Sequence, residues 1–245
     1  GWRTGFSLVN IAEETNRVNV TFYDADGNTV GQDHRTISPQ GQEFIYVPAT
    51  RDLGLGRGEG FVGSAVFTSD LPFHVAVDQV KYATGEAMSY LATASGASYD
   101  STEWPANGID GTLSLPLAQK GLINGSGDVS GLQLFNTSLA STVGFEVTFY
   151  DSAGAAVPPT KNAPFRMTLG QAQNATIYTM NLSEMAQNQR SSAVITPVAG
   201  EGQLVGVSNN VNYAVSGDGA VAFNLVNING QYRFPVPGFE QYRSR

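Results

Sequence analysis

The sequence predicts an all-β protein with two tandem immunoglobulin-like antiparallel β-sandwich domains that arise from an internal duplication. The main observation is a pattern that occurs twice, as VTFYDADG at Val20–Gly27 and as VTFYDSAG at Val147–Gly154. The second copy follows the first by 127 residues, which is the length of a whole domain. In each copy an alternating strand ends in a turn, where Asp caps the backbone and Gly accepts a positive φ.

The repeat extends along most of the chain. Further matching segments are Gly5–Asn10 with Gly131–Asn136, Ser64–Thr68 with Ser192–Thr196, and Val75–Tyr82 with Val205–Tyr213. Turn residues recur about every 8–12 positions between short alternating segments, which is typical of a β-sandwich. If both copies fold alike, four pairs should be buried at matching positions: Val20 and Val147, Phe22 and Phe149, Val66 and Val194, Val77 and Val207.

The repeat also sets the expected domain boundaries. The first sandwich is predicted at residues 1–119, with an insertion at about 94–110 that the second copy lacks. A glycine-rich linker at 120–128 leads to the second sandwich at 129–237, and a tail covers 238–245.

Three local features complete this prediction. A strand that contains proline is expected near each end, at Leu113–Leu117 in the first copy and at Tyr232–Val236 in the second. The one predicted helix is Leu182–Gln189, with Ser183 or Asn181 as its N-cap.

Composition limits the function classes. Charged residues are 14% of the chain against about 25% in average globular domains, and the net charge is −8. The 13 Lys and Arg residues form no run, so a nucleic-acid backbone is not an expected partner. No apolar stretch approaches the ~20 residues of a membrane span. The chain has no cysteine, which excludes disulfides and thiolate metal sites.

The sequence resembles the tandem β-sandwich repeats of large secreted bacterial cell-surface proteins. The segments that carry the resemblance are Leu115–Leu117, Gly1–Thr4, Asn10, Val20–Gly27 and Gly63–Pro72. The second copy departs at Ser192–Pro197, which lacks the glycine and Ser-Asp elements of Gly63–Pro72. The resemblance implies an exported structural or adhesive repeat at the cell surface and carries over no catalytic residue. Because the chain opens at Gly1, we expect either a leader removed on export or a piece of a longer repeat array.

Two motifs suggest chemistry by their letters alone. Asp24–Asn28 places carboxylates on alternate residues, as a calcium loop does, but Ala153 replaces the second carboxylate in the other copy. We therefore interpret Asp24–Asn28 as a capped turn. Gly58–Gly63 matches G-x-G-x-x-G, but a strand rather than a helix is predicted to follow it, so no dinucleotide site is expected.

No cofactor, metal or catalytic cluster is predicted. The two histidines, His34 and His74, have no histidine counterpart in the other copy, and neither lies near a second His, a Cys or an obvious serine elbow in the sequence. The 21 carboxylates leave a glycosidase pair open by counting alone, yet the sequence indicates no aromatic-rich cleft that would hold one of them. The chain is therefore predicted not to be an enzyme.

Aromatic residues outside the repeated strands are the candidate contacts for a partner, since rigid aromatics contribute strongly to interfaces. These residues are Trp2, Tyr99, Trp104, Phe239 and Tyr242. The tail that carries Phe239 and Tyr242 is expected to dock on the first domain of another copy, with Trp2 and Trp104 as receptors. Of the Asn-x-Ser/Thr sequences, Asn124 and Asn174 are the predicted glycosylation acceptors, because they fall in the linker and a loop.

Three functions remain open at this point. The first is a structural subunit of an extracellular filament, pilus-like fibre or surface layer, built by head-to-tail contacts between copies. The second is a carbohydrate-binding or adhesin module in which Tyr99 and Trp104 stack on glycans. The third is a pair of accessory domains of a secreted hydrolase.

Overall fold

The protein is all-β, and the described part of the chain is built from antiparallel β-sheets. A computed structural model describes residues 2–47, 62–93, 112–121, 127–214 and 219–227. The strands of the first half are β1 (Arg3–Asn10), β2 (Asn16–Tyr23), β3 (Thr29–Ile37), β4 (Gln42–Tyr46), β5 (Ser64–Thr68), β6 (Phe73–Lys81) and β7 (Glu86–Leu91). Those that follow are β8 (Leu113–Lys120), β9 (Asp128–Asn136), β10 (Val143–Tyr150), β11 (Phe165–Leu169), β12 (Asn174–Tyr178), β13 (Gln189–Gly200), β14 (Leu204–Asn212), β15 (Ala220–Asn224) and β16 (Val226–Asn227).

These strands form two pairs of sheets, as expected for β-sandwich domains. The first half contains a sheet of order β4-β1-β6-β7 and a sheet of order β3-β2-β5. The second contains β12-β9-β14-β15 and β11-β10-β13-β8-β16. The strand orders correspond between the halves, with β1 in the place of β9 and β2 in the place of β10. The immunoglobulin-like character and the common origin of the halves stay predictions.

Each half has its own cluster of buried side chains, because alternate residues of facing sheets point inward. Phe22 and Val20 are both 2% exposed in the first cluster, and Phe149 and Val147 are fully buried in the second. The prediction is confirmed for these two pairs.

The prediction is wrong for Val66 and Val194, which are only half-buried. In both strands the neighbouring residues face the core instead, namely Ala65 and Phe67 in β5 and Ala193 and Ile195 in β13.

Val77 and Val207 are both buried as predicted, at 4% and 9% exposed, but the strand register shows that they are not at matching positions. Val77 lies opposite Phe6, whereas Ser208 lies opposite Leu132, which is the counterpart of Phe6. The counterpart of Val77 is therefore Ser208 rather than Val207.

The proline-containing strand β8 differs from its predicted place. Residues Leu113–Leu117 were expected to close the first sandwich, but β8 pairs with β13 and β16 in the second half. Its side chains Leu113 and Leu115 are 4% and 0% exposed and belong to the second cluster of buried residues. The boundary expected at residue 119 does not describe this strand, because β8 joins the half that follows it.

The predicted helix Leu182–Gln189 is absent from the described residues. A 3₁₀ turn occurs just before this segment, at Thr179–Asn181. The hydrogen bonds Leu182 N–H to Thr179 O (3.1 Å) and Met185 N–H to Leu182 O (3.1 Å) span three residues, which gives successive turns rather than an α-helix. Met185 is 1% exposed, so the segment is held by packing of this side chain.

A buried asparagine ends the first full strand of each half and organises the loops around it. Asn136 is fully buried; its Nδ2 donates to Ser141 O and to Gly170 O at 2.8 Å each, and its Oδ1 accepts from Ser138 N–H and Gln203 N–H. Asn10 is 1% exposed and makes equivalent bonds to Glu14 O (2.7 Å) and Ser38 O (2.9 Å). One side chain therefore positions two backbone turns.

Candidate functional site

The repeated Asp-Gly turn has the same internal geometry in both halves. Asp24 Oδ1 accepts from the N–H groups of Asp26 (2.9 Å) and Asn28 (2.8 Å), and Asn28 Nδ2 donates to Oδ2 (3.0 Å). The hydrogen bond from the Asn28 side chain lowers the pKa of Asp24 below its ordinary value. Asp151 Oδ1 accepts from Ala153 N–H and Ala155 N–H, both at 2.9 Å. This is the capped turn that the sequence predicts.

The first of these turns docks on the second half. Three carbonyl oxygens of the turn accept hydrogen bonds from the start of β12 and the residue before it. Asp24 O accepts from Asn174 Nδ2 at 3.0 Å, Ala25 O from Asn174 N–H at 3.3 Å, and Asp26 O from Gln173 Nε2 at 3.1 Å. Gly27 adopts φ +85°, and a Cβ at this position would lie 2.3 Å from Gln171 O. The backbones therefore touch at a point that only glycine permits.

Aromatic and polar side chains extend the contact between the halves. The rings of Tyr23 and Phe135 lie 6.5 Å apart between centroids. Lys81 Nζ lies 5.4 Å from the ring centroid of Tyr213, within the range of a cation–π interaction. Asn224 Nδ2 donates to Leu91 O at 2.8 Å. We call this set, together with the docked turn, the inter-half contact.

The second half has its own copy of the docked turn, and the first half has its own copy of the Gly170–Asn174 turn to which the docked turn binds. The counterpart of the docked turn is Asp151–Gly154, where Gly154 has φ +79° and no atom lies within 4 Å of its Cβ position. The counterpart of the Gly170–Asn174 turn is Ser38–Gln42, since Gln40 and Ala172 share a positive φ of 54° and 53°. Gln42 is exposed whereas Asn174 is half-buried. The counterparts are thus accessible in the described part of the chain.

Gly27→Ala and Gly154→Ala form a matched pair of variants. Each places a side chain in the left-handed region, which costs about 1–2 kcal/mol. Only Gly27→Ala also pushes a Cβ into Gln171 O, so we expect it to lose about 1 kcal/mol more and to loosen the inter-half contact. Urea denaturation measures the first effect, and the radius of gyration from solution scattering measures the second. Equal losses with an unchanged radius of gyration in both variants would contradict this role for Gly27.

The ion pairs of the described residues lie at separate places and do not come together in one cluster. In the described residues no group of three or more His, Asp or Glu side chains has the geometry to hold a metal ion. His34 on β3 and His74 on β6 are exposed and lie in different sheets. Arg166 binds Glu146 at 2.8 Å on the surface. Burial opposes the charge of Glu86, yet hydrogen bonds from Thr84 and Lys81 outweigh it and lower the pKa of Glu86.

The structure places two of the candidate site residues. Trp2 precedes β1 and is half-buried. Asn174 was expected to be a glycosylation acceptor in a loop, but it begins β12 and its Nδ2 bonds to Asp24 O in the inter-half contact. A glycan there would meet the docked turn, so the structure disfavours this acceptor. The residues Tyr99, Trp104, Asn124, Phe239 and Tyr242 lie outside the described residues, as do most of Gly58–Gly63 and the tail. Their roles stay predictions.

Comparison with known proteins gives no assignment. No protein-family model matches the sequence, and no curated protein is significantly similar to it. Among the described residues, no helix is long and apolar enough to cross a bilayer.

Proposed function

We propose that this protein is a non-enzymatic structural subunit of an extracellular assembly, such as a filament, pilus-like fibre or surface layer. Copies associate head to tail, with the second half of one chain docked on the first half of the next. The extracellular location rests on the low charge content and on the resemblance to secreted surface repeats.

One observation supports this proposal above the alternatives. The inter-half contact uses a turn from the first half and a turn from the second, and each has an accessible counterpart on the other half. The Asp151–Gly154 turn of one copy therefore matches the Ser38–Gln42 turn of another. Because these two surfaces differ, the contact between copies is heterologous, and a contact of this kind propagates unless its rotation closes a ring.

The counterparts also differ in ways that set the expected strength. In the contact between copies, Gly41 takes the place of Gln173, whose side chain donates to the docked turn in the inter-half contact. Asn212 takes the place of Lys81, which contacts an aromatic ring in the inter-half contact. Gln42 retains an amide in the place of Asn174, and Tyr150 and Val9 replace the ring pair of Tyr23 and Phe135. The contact between copies has fewer polar bonds than the inter-half contact, so assembly should depend on protein concentration.

An arginine placed on the open turn tests the proposal. Ala153 is exposed at the tip of the second turn, at the position that Asp26 occupies in the first. In sedimentation velocity over a concentration series, the wild-type chain should form oligomers of increasing size. Ala153→Arg should require at least ten times more protein to reach the same average size, because its side chain obstructs the docked turn. Negative-stain microscopy then reports whether the oligomers are filaments.

Gln32→Arg is the control, since Gln32 is exposed in the middle of β3, away from both the docked turn and the Ser38–Gln42 turn. It should associate like the wild-type chain. A wild-type chain that stays monomeric up to about millimolar concentration would overturn the proposal, and so would equal effects of the two substitutions.

A further inference from the structure

The two halves differ at one sheet edge. In the second half β13 lies between β10 and β8, so both of its edges are paired. The corresponding strand of the first half is β5, which pairs with β2. Among the described residues β5 has no second partner, so it is the edge of its sheet. An unpaired strand edge is a template for pairing with another extended segment.

The core-facing side chains of β5 are more exposed to solvent than those of β13, the corresponding strand of the second half. Ala193 and Ile195 on β13 are both fully buried, in the same cluster as Leu113 and Leu115 of β8. On β5 the corresponding residues, Ala65 and Phe67, are only half-buried. Phe67 nevertheless faces inward, since its ring packs edge to face on Phe6 with centroids 5.1 Å apart. Among the described residues, no strand covers β5 as β8 covers β13 in the second half.

The sequence contains a second segment with the pattern of β8. Tyr232–Val236 reads YRFPV where Leu113–Leu117 reads LSLPL, with proline at the same position. In β8 the pairing register shifts next to Pro116, between the partners Ser191 and Ala193. A proline is accepted at such an irregularity because it has no N–H to donate to the ladder. Tyr232 and Phe234 would stand where Leu113 and Leu115 cover the core.

The order of the strands along the chain indicates whether such a segment would pair with β5 of its own chain or with β5 of another copy. The strand β8 follows the last strand of the first half and pairs within the half that comes next. Tyr232–Val236 follows β15 and β16, the last strands of the second half. In a head-to-tail assembly, the half that comes next is the first half of another copy.

We propose that residues Tyr232–Val236 of one copy pair with β5 of a second copy, as β8 pairs with β13. The register follows from β8: Phe234 lies opposite Ala65, Arg233 opposite Val66, and Tyr232 opposite Phe67. This inference rests on the proposed assembly and names the strand that joins its subunits.

Introduced cysteines test the pairing directly, because the natural chain has none. Directly opposite residues of antiparallel strands have Cβ atoms about 4.5–5.5 Å apart, close enough for a disulfide after a small adjustment. One chain carries Val66→Cys, and a second chain with a different affinity tag carries Arg233→Cys. On mild oxidation of the mixture, we expect a disulfide-linked heterodimer to form at least ten times faster than in the control.

The control mixture replaces Val66→Cys with His34→Cys. His34 is exposed on β3, the opposite edge strand of the same sheet. A heterodimer that forms no faster than in this control overturns the strand pairing. The double variant Val66→Cys/Arg233→Cys supplies a further outcome: a disulfide mainly within one chain shows that the tail covers its own β5, which also overturns the proposal.

Sedimentation of the same mixtures separates the two proposals. If the chains associate but the cysteines do not cross-link above the control, the strand pairing fails and the assembly remains. If the chains neither associate nor cross-link, both fail. Amide hydrogen exchange of the wild-type chain gives an independent readout without mutation. Protection of residues 64–68 should rise with protein concentration, and protection that does not depend on concentration would overturn the pairing.

Discussion

Replacing Phe149 with alanine should destabilise the second half by about 3–5 kcal/mol, the usual cost of truncating a buried phenylalanine. Phe149 is fully buried in a cluster separate from that of the first half. The substitution should therefore lower one unfolding transition and leave the transition of the first half almost in place. Phe22→Ala should do the reverse, since Phe22 is 2% exposed in the other cluster.

Calorimetry or urea denaturation with probes in each half measures these shifts. Phe44→Ala is the control, because Phe44 is 54% exposed and its truncation leaves no cavity. If Phe149→Ala lowers both transitions equally, the two clusters unfold as one cooperative unit, and the independence of the halves is wrong.

Asn136→Ala should cost about 3 kcal/mol or more, although it removes no large apolar group. The amide of Asn136 bonds to the carbonyls of Ser141 and Gly170, and alanine would leave these part-buried backbone groups without that partner. The turn that contains Gly170 also presents Asn174 to the docked turn of the first half. The variant should therefore lose both stability and inter-half contact, visible in denaturation and in solution scattering.

Asn10→Ala offers the matched comparison, because Asn10 makes equivalent bonds in the first half. It should lose similar stability but keep the inter-half contact, since the turn that it positions is the exposed Ser38–Gln42. Asn212→Ala is the neutral control, with one exposed hydrogen bond to Ala214 N–H at 2.9 Å. A loss below about 1 kcal/mol for Asn136→Ala would show that water replaces its bonds.

Local patterns predicted much of the fold because they are repeated within one chain. The turn at Val20–Gly27 and its copy share strand, cap and glycine, and both form as expected. The prediction of which β5 residues face the core was wrong. Ala65, Val66 and Phe67 are all apolar, so the alternation of apolar and polar residues does not distinguish the two faces of this strand. The same ambiguity affects Ala193 to Ile195 in β13.

Pairings between distant segments could not be predicted in this way. The strand β8 has apolar residues that suit either half, and only its pairing with β13 decides which one it joins. The inter-half contact was missed for a related reason. Gln173 and Asn174 have ordinary loop composition, and their partners are carbonyl oxygens of a turn about 150 positions away, which no residue type signals.

Among the described residues, the docked turn hydrogen-bonds to its neighbour through the main-chain oxygens of Asp24, Ala25 and Asp26. Every amino acid carries this group, so the recognised feature is the path of the backbone and not the chemical identity of the residues along it. The middle positions are consequently free to vary, as Ser152 and Ala153 illustrate in the other copy, while the aspartate and the glycine that bend the chain are not. In the proposed assembly, recognition of this kind would allow one contact to accept copies whose surfaces differ widely, provided that the bend is kept.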